Sequence, residues 1–552
     1  MSFRSEFEQA RDFLILHRAD YNFAFQNFKW PKLEQFNWAL DYFDSMAEGN
    51  TNVALWLVDE KGQEEKYSFA DISQRSSQVA NYLRKLGVHK GDHILLMLGN
   101  DVAHWETVLA AIKIGAVLVP ASPLLSTEEL GDRLNRGEIK GLITSHHEAL
   151  RFDINTSAIV KIVTDGAVPG WHDYAEAAQE SKNFVPEVPT QSQDPLFLFF
   201  SSGSTPKPEL VHHTHFSYPV GNLSTMYWMG LRPGDVHMSI ASPGWAAHLW
   251  SHLFAPWNAE ATVFVYKQAH FEISHLLESL EKYRVTSFCA PPTVWRMLTQ
   301  DTLTGYKMAL RELTTEGAPL EIEVFEKIEQ AWGVPLREGY CLTESTAFIG
   351  NSPGQEIKEN SLGRPLPGYQ VKLIEPGGQT GLDGEIFFRA VSSENEFLRT
   401  HDRGVVDEDG YIYFAGRGDE VFKSSDYRIS PSELEFALQD HPAIREVAVI
   451  PSPDRLRLNV PKAVIFLAKG FEPTKDLALS IMTHSRNKLA SFKRIRRIEF
   501  TDLPKSVSGE IQRLELQLRE IKKVNSEEKS PYEFWEEDYR VSIPEIWAQD
   551  LP

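Results

Sequence analysis

Between His93 and Pro120 the chain passes from a short apolar run, His93–Leu98, through a stretch of helical spacing, Val102–Ile114, to a second β-branched run, Ala116–Pro120. A strand, a helix and a strand in such quick succession leave little choice of topology. The second strand lies parallel to the first, and the helix covers one face of the pair. Further short apolar runs follow at Gly141–Thr144, Ile159–Val163, Leu196–Phe200, Ala261–Tyr266 and Thr286–Cys289, several with helical stretches between them. This repetition predicts an α/β protein built on doubly wound, mostly parallel sheets.

From about Gln370 the texture changes. Glu375-Pro-Gly-Gly378 and Asp407–Gly410 read as turns, with Gly384–Ala390 and Tyr411–Phe414 as strands, which predicts an antiparallel β subdomain. Ser430, Pro431 and Glu433 then open a helix to Gln439, and the strands Glu446–Pro451 and Lys462–Ala468 follow. A small α+β domain is implied. Gly416–Asp419, two glycines flanking charge, is the expected hinge. The expected division is 1–417 for the large domain, 418–531 for the small one and 532–552 for an acidic, aromatic tail that packs back on the body. A chain of 552 residues exceeds what one core organises, in keeping with that division.

The formal charge of −21 excludes a general nucleic-acid binder, since no surplus of Lys or Arg is left to neutralise phosphates. Two cysteines, Cys289 and Cys341, make neither a disulfide framework nor a zinc site. The first twenty residues mix charge with apolar side chains, unlike a signal peptide. The most apolar region, His93–Ser122, is broken by Asp101, His104, Glu106 and Lys113, short of the roughly 20 clean residues of a membrane span. The expected location is cytoplasmic, which sets aside the glycosylation tripeptides at Asn155 and Asn222. His212-His-Thr-His215 lacks a carboxylate or Cys at ligand spacing, and Lys493, Arg494, Arg496 and Arg497 read as a solvated basic face able to greet phosphates.

Three segments carry chemistry. Phe199-Phe-Ser-Ser-Gly-Ser-Thr205 is a buried-type strand ending in Ser201, Ser202, Gly203, Ser204 and Thr205, whose amides and hydroxyls suit phosphate oxygens, although Ser/Gly clusters are usually plain loops. Gly339-Tyr-Cys-Leu-Thr-Glu344 sets a lone carboxylate after Thr343. One such ligand suffices for Mg²⁺ when nucleotide phosphates supply the others, yet a capped helix start is the commoner meaning. In Thr400-His-Asp402, followed by Asp409 to Arg417, the carboxylate suits a ribose diol and the guanidinium a phosphate.

Taken in order with Gly317-Ala-Pro319, Gly416-Arg-Gly-Asp419, Lys423-Ser-Ser-Asp-Tyr-Arg428 and Pro504-Lys-Ser-Val-Ser-Gly509, these segments resemble the signature series of adenylate-forming enzymes. The likeness is closest to medium-chain acyl-CoA synthetases, and Tyr532-Glu-Phe-Trp-Glu-Glu-Asp538 shares it. The resemblance implies that ATP and a carboxylic acid form an acyl-adenylate. The small domain then swings about Asp419 and coenzyme A takes the acyl group. It implies that Ser201–Thr205 cradle phosphates, that Gly317, Ala318 and Pro319 line the adenine, with Tyr340 at the nucleotide, and that Asp402 meets the ribose. Glu344, beside Thr343, would hold Mg²⁺; Arg417, Lys423 and Arg428 would attend the nucleotide; and Gly244, Trp245 and His248 would border the acyl pocket. A homo-oligomer is compatible with it.

The chain departs from the pattern at several positions. Pro206 removes a backbone donor from the phosphate loop, and Glu209 and Asp426 add negative charge where the family has Lys and Gly. His401 and Cys341 also replace glycines. The family's final motif ends Ser-Gly-Lys, with a lysine that bridges the carboxylate and the α-phosphate, whereas this chain has Ser508-Gly-Glu510. At about 4 kcal/mol per charge pair roughly 4 Å apart, reversal of that sign slows adenylation by several orders of magnitude unless compensated. Lys505 and Lys423 are candidate substitutes, though neither stands at the reacting position.

Overall fold

A computed structural model describes residues 5–151, 160–201, 208–268, 271–317, 320–375, 378–389, 391, 396–417, 420–425, 427–505, 511–526 and 529–539. Ser202–Thr205, Pro206, Ala318, Pro319, Asp419, Asp426, Glu510 and Asn155, the last residues of the tail and the side chain of Arg417, all singled out in the sequence, lie outside the described residues. The chain divides into two compact units. One comprises 1–123, 133–199 and 211–416; the other 124–132, 200–210 and 417–552.

In the large unit, the expected helix is found at Val102–Ile114, between the strands His93–Met97 and Val117–Pro120, which pair in parallel. Gly115 ends it at φ 79°, a left-handed turn that lets its own amide and that of Ala116 bond the carbonyl of Ala111. Two of the charges that break this segment's apolarity, Glu106 and Lys113, are buried by pairing, while Asp101 stays exposed. Lys113 is fully buried and reaches Asp44 at 2.8 Å and Ser77 Oγ at 2.9 Å, while Glu106 pairs with Arg75 and accepts from Tyr174 Oη at 2.8 Å. No helix among the described residues is long and apolar enough to cross a membrane. Asn222 is fully buried in the helix Ser217–Met229, out of reach of a glycan.

The parallel pair sits in a seven-stranded sheet with Ile139–Thr144, Val160–Val163, His172–Asp173, Pro195–Ser201 and Glu209–Thr214. A second sheet has thirteen strands. Its parallel centre runs Val53–Asp59, Thr262–Lys267, Val236–Ser239, Ser287–Cys289, Glu312–Glu316 and Leu336–Cys341. Past Leu336–Cys341 the pairing turns antiparallel, and the subdomain strands Gln370–Ile374, Asp383–Arg389, Phe397–Val406 and Ile412–Arg417 complete it. The architecture is the α/β class with a β subdomain that the sequence predicts.

The small unit carries a four-stranded sheet, Ile444–Asp454, Leu458–Leu467, Arg497–Phe500 and Glu533–Trp535, with the helices Pro431–Leu438, Lys475–Lys488 and Arg513–Asn525. Ser430 caps the first of these by accepting from the amide of Glu433 at 3.4 Å. The strand Glu533–Trp535 builds the start of the tail into this sheet. In its core Lys462 is fully buried and meets Glu499 at 2.9 Å, Glu533 at 2.8 Å and Glu520. These three carboxylates cluster as ligands for a cation would, and the ammonium of Lys462 fills that role. The basic run is not the solvated face its composition suggests. Lys493, Arg496 and Arg497 are buried against Glu433, Glu536 and Asp454, because burying a cation requires a partner.

Candidate functional site

The strand Leu336–Cys341 crosses the large unit with Gly339 flat against Trp228. A Cβ at Gly339 would lie 2.3 Å from the indole ring, and one at Gly350 on the neighbouring strand 2.6 Å, so only glycine permits this approach. The indole N–H of Trp228 donates to the carbonyl of Glu338 at 3.2 Å, locking the strand. Burial pushes the Glu338 carboxyl up to about 8, so this acid beside the site stays largely protonated at neutral pH. Tyr340, next in line, donates its phenol to the carboxylate of Asp402, a residue far away in sequence.

Asp402 reaches Tyr340 through a bulge. The register of Asp383–Arg389 against Phe397–Val406 shifts between Glu385 and Phe387, opposite Thr400–Asp402. His401 takes φ 62° there, which explains why a glycine is expected at this position and costs roughly 1 kcal/mol for a larger side chain. Thr400 Oγ1 accepts from the amide of Asp402 at 3.1 Å, and the carboxylate side chain is buried.

Glu344 does not start a helix. It sits in the turn that links Leu336–Cys341 to Ala347–Gly350, two antiparallel strands. This turn is held at both ends. His213 Nε2 donates to the carbonyl of Thr343 at 2.8 Å, and its Nδ1 meets Ser217 Oγ at 3.2 Å. Thr346 Oγ1 donates to the carbonyl of Gly221 at 2.9 Å and lies 2.7 Å from Tyr369 Oη. Burial lowers the pKa of His213, opposed by the Thr343 carbonyl and the charge of Glu344, so the ring acts as a neutral donor. The sequence offered no signal for this role beyond a histidine-rich run set aside as a metal motif.

On the acyl side, Gly244 stands at φ 92°, and an added Cβ would fall 2.4 Å from the backbone of Ala121 and Ser122. That contact pins the run from Ala241 to Ala247, half-exposed throughout, to the end of the strand Val117–Pro120. Trp245 belongs to this run, and His248, just beyond it, is buried. From Ala246 to Asn258 the chain is helical, with one π turn at Trp250–Phe254. Pro256 has no N–H to offer the carbonyl of His252 four residues earlier, and the indole of Trp105 takes that carbonyl instead at 2.8 Å. The turn stacks the rings of His248 and His252 at 4.3 Å and 11°, and His104 meets His248 edge-on at 4.8 Å.

Gly317 follows Glu312–Glu316 at φ 108°. In the small unit, Lys423 and Arg428 lie directly opposite each other on the hairpin Phe422–Ser424 and Tyr427–Ile429. Ser201 ends its strand buried, and Glu209 opens the next one exposed. Lys505, one of the two candidate substitutes for the missing lysine, pairs with Glu446 at 2.6 Å.

Residues 44–393 match the model of the AMP-binding enzyme family and residues 433–510 that of the AMP-binding enzyme C-terminal domain. A 4-hydroxybutyrate–CoA ligase of Metallosphaera sedula is 35% identical over 524 residues, covering 89% of this chain and 92% of its own. The chain belongs to the AMP-binding acyl-CoA synthetase family. The mitochondrial acyl-coenzyme A synthetase ACSM3 of Homo sapiens is 32% identical over 546 residues, 92% of this chain and 93% of its own. Among solved structures, an acyl-CoA synthetase of Brucella canis superposes with a TM-score of 0.67 at 26% identity, over 91% of this chain and 99% of its own. The o-succinylbenzoate CoA synthetase of Bacillus subtilis gives 0.72 at 25%, over 88% and 98%. As a member of this family, the synthetase presents a buried acid–phenol pair at Asp402 and Tyr340, and a carboxylate turn at Glu344 fixed by His213.

Proposed function

We propose that this synthetase is an ATP-dependent acid–CoA ligase that activates a medium-chain or similar carboxylic acid through its acyl-adenylate. The observation that carries the reading is the Tyr340–Asp402 bond, which holds a buried carboxylate in place to accept from a ribose diol. Beside it, the Thr343–Glu344 turn fits a Mg²⁺ ligand: Glu344 supplies one hard oxygen, and His213 fixes the turn from behind. The metal, when bound, would neutralise phosphate charge. Gly244 and Trp245 border the acid, Lys423 and Arg428 offer paired cations in the small unit, and coenzyme A is the acyl acceptor.

Glu510 favours a second reading, a relative that binds acyl ligand or nucleotide but adenylates poorly, because an anion stands where the family's bridging lysine belongs. Pyrophosphate exchange into ATP, run across a panel of acids on the natural chain and on Glu510→Lys, separates the two. Exchange by the natural chain supports the ligase. Exchange that appears only in Glu510→Lys, by about a hundredfold or more, overturns it in favour of the second reading.

A further inference from the structure

Burial lowers the pKa of His104 to about 3, with a further push from His252, and lowers His248 well below the ordinary histidine range for the same reasons, with His104 adding to it. Both rings are therefore neutral at physiological pH, and a neutral imidazole carries one N–H donor and one bare acceptor nitrogen. His248 donates from Nε2 to Asn100 Oδ1 at 2.8 Å, which leaves its Nδ1 as an acceptor that meets no partner among the described residues. His104 bonds through neither nitrogen among the described residues. A buried polar group left unmet costs about 1–3 kcal/mol, so such an arrangement in a well-packed core calls for a ligand.

The position of these atoms says which ligand. His248 directly follows the half-exposed run Ala241–Ala247 that Gly244 fixes against Ala121 and Ser122. The histidine behind it, His252, is satisfied: its Nε2 donates to the carbonyl of Ser239 at 3.0 Å, and its Nδ1 lies 3.0 Å from Ser251 Oγ. His237 Nε2 and both nitrogens of His215 are also unmet among the described residues, but of these rings it is His248 that directly follows the half-exposed run, with His104 packed against it.

We propose that Asn100, His104 and His248 form the polar end of the acyl site, and that the acid it takes carries a second hydrogen-bonding group, a hydroxyl or carbonyl, on its chain. The proposal rests on the ligase reading for the location of the acyl site. A hydroxyl gives and accepts one bond each, which matches the donor and acceptors on offer; a hydrocarbon end leaves them unmet. A second carboxylate is disfavoured, because neutral rings offer it no countercharge.

Calorimetric titration of the full chain, with and without α,β-methylene-ATP, tests this with two pairs of acids: 4-hydroxybutyrate against butyrate and 6-hydroxyhexanoate against hexanoate. The hydroxy acid of at least one pair is expected to bind about tenfold or more tighter than its plain counterpart. His104→Phe and His248→Leu are expected to bring that ratio near one, and His104→Gln, which keeps a donor and an acceptor, to retain part of it. If His104→Phe does not fold by circular dichroism, the natural chain and His104→Gln decide. Equal binding within both pairs, tighter binding of the plain acids, or no binding of any of the four overturns the proposal. So does an unchanged ratio in His104→Phe, which would assign the open nitrogens to a buried water. Thioester formation is measured in parallel: turnover of plain acids alone leaves the ligase reading standing and sinks this one, and selective binding of hydroxy acids without thioester does the reverse.

Discussion

The small unit buries one ammonium among three carboxylates and bonds it to each, whereas among the buried imidazoles of the large unit the group of His104, His237, His248 and His252 leaves nitrogens open on three of its four rings. Both clusters occupy cores, and both are expensive to bury. The difference lies in satisfaction. Around Lys462 burial alone would lower the ammonium's pKa, but the carboxylates, Glu520 foremost, reverse this and raise it, so the cluster holds itself together without a ligand. Around His104 burial goes unanswered, and the rings give up their charge instead. A complete polar cluster is a structural joint; an incomplete one that adjoins the half-exposed run Ala241–Ala247 marks a place for something else.

The largest test of this contrast is Lys462→Met. Removing the cation leaves Glu520 without an ammonium and Glu499 and Glu533 with Lys523 alone, and the small unit is expected to lose about 3–5 kcal/mol in urea unfolding. A loss below about 1 kcal/mol would show that water already reaches the carboxylates.

Acidification separates the clusters next. His104 and His237 have folded pKa values of about 3 and His252 of about 4, all below the ordinary 6.5, with burial the main cause. Their unfolded forms therefore bind protons first, and the stability they allow, complete above pH about 6.5, drains away as pH falls toward 3–4. By pH 5 this amounts to about 2 kcal/mol per ring. Glu499 shifts the other way: burial would raise its pKa, but Lys462 prevails and holds it below 4.5, so its contribution is lost only as pH falls below that value. Between pH 6.5 and 4.5 these three rings weaken the large unit, opposed in part by Glu338, whose raised pKa adds stability as pH falls. In the small unit Glu499 is not yet affected over that range, and His441, with its pKa lowered by burial, contributes a loss of its own. Hydrogen exchange at pH 5 is expected to deprotect 93–120 and 236–265 before 444–467; the opposite order would sink the comparison.

The smallest effect is the most pointed. His104→Phe removes two unmet nitrogens and keeps the volume apolar, so the ligand-free chain is expected to gain about 1 kcal/mol and a few degrees in Tm. A drop of similar size would mean that the ring is satisfied in solution.

Much of this was legible in the residues. The helix at Val102–Ile114, the strands on either side of it, the cap at Ser430 and the shift to hairpins after Gln370 all follow from local period and turn chemistry. The candidate site was legible as separate pieces: Tyr340, Glu344 and Asp402 stood out by type and order, but not the bond between the first and the last. Glu344 looked like a helix start because Thr followed by Glu is a capping signal, and the hairpin that overrules it depends on the partner strand Ala347–Gly350. The basic run at Lys493–Arg497 looked solvated because its glutamate and aspartate partners are distant in sequence.

The sequence by itself determined the fold class, the order of motifs and the family they belong to, along with the charge reversal at Glu510, because these depend on residue type and near-neighbour spacing. Only the tertiary structure decided that His213 steadies the Glu344 turn, that His401 must adopt a left-handed backbone, and that His104 and His248 meet with nitrogens to spare. Each of these is a contact or strain set by chain segments far apart in sequence, and hydrogen-bond satisfaction is a property of the packed surroundings that no single stretch of residues contains.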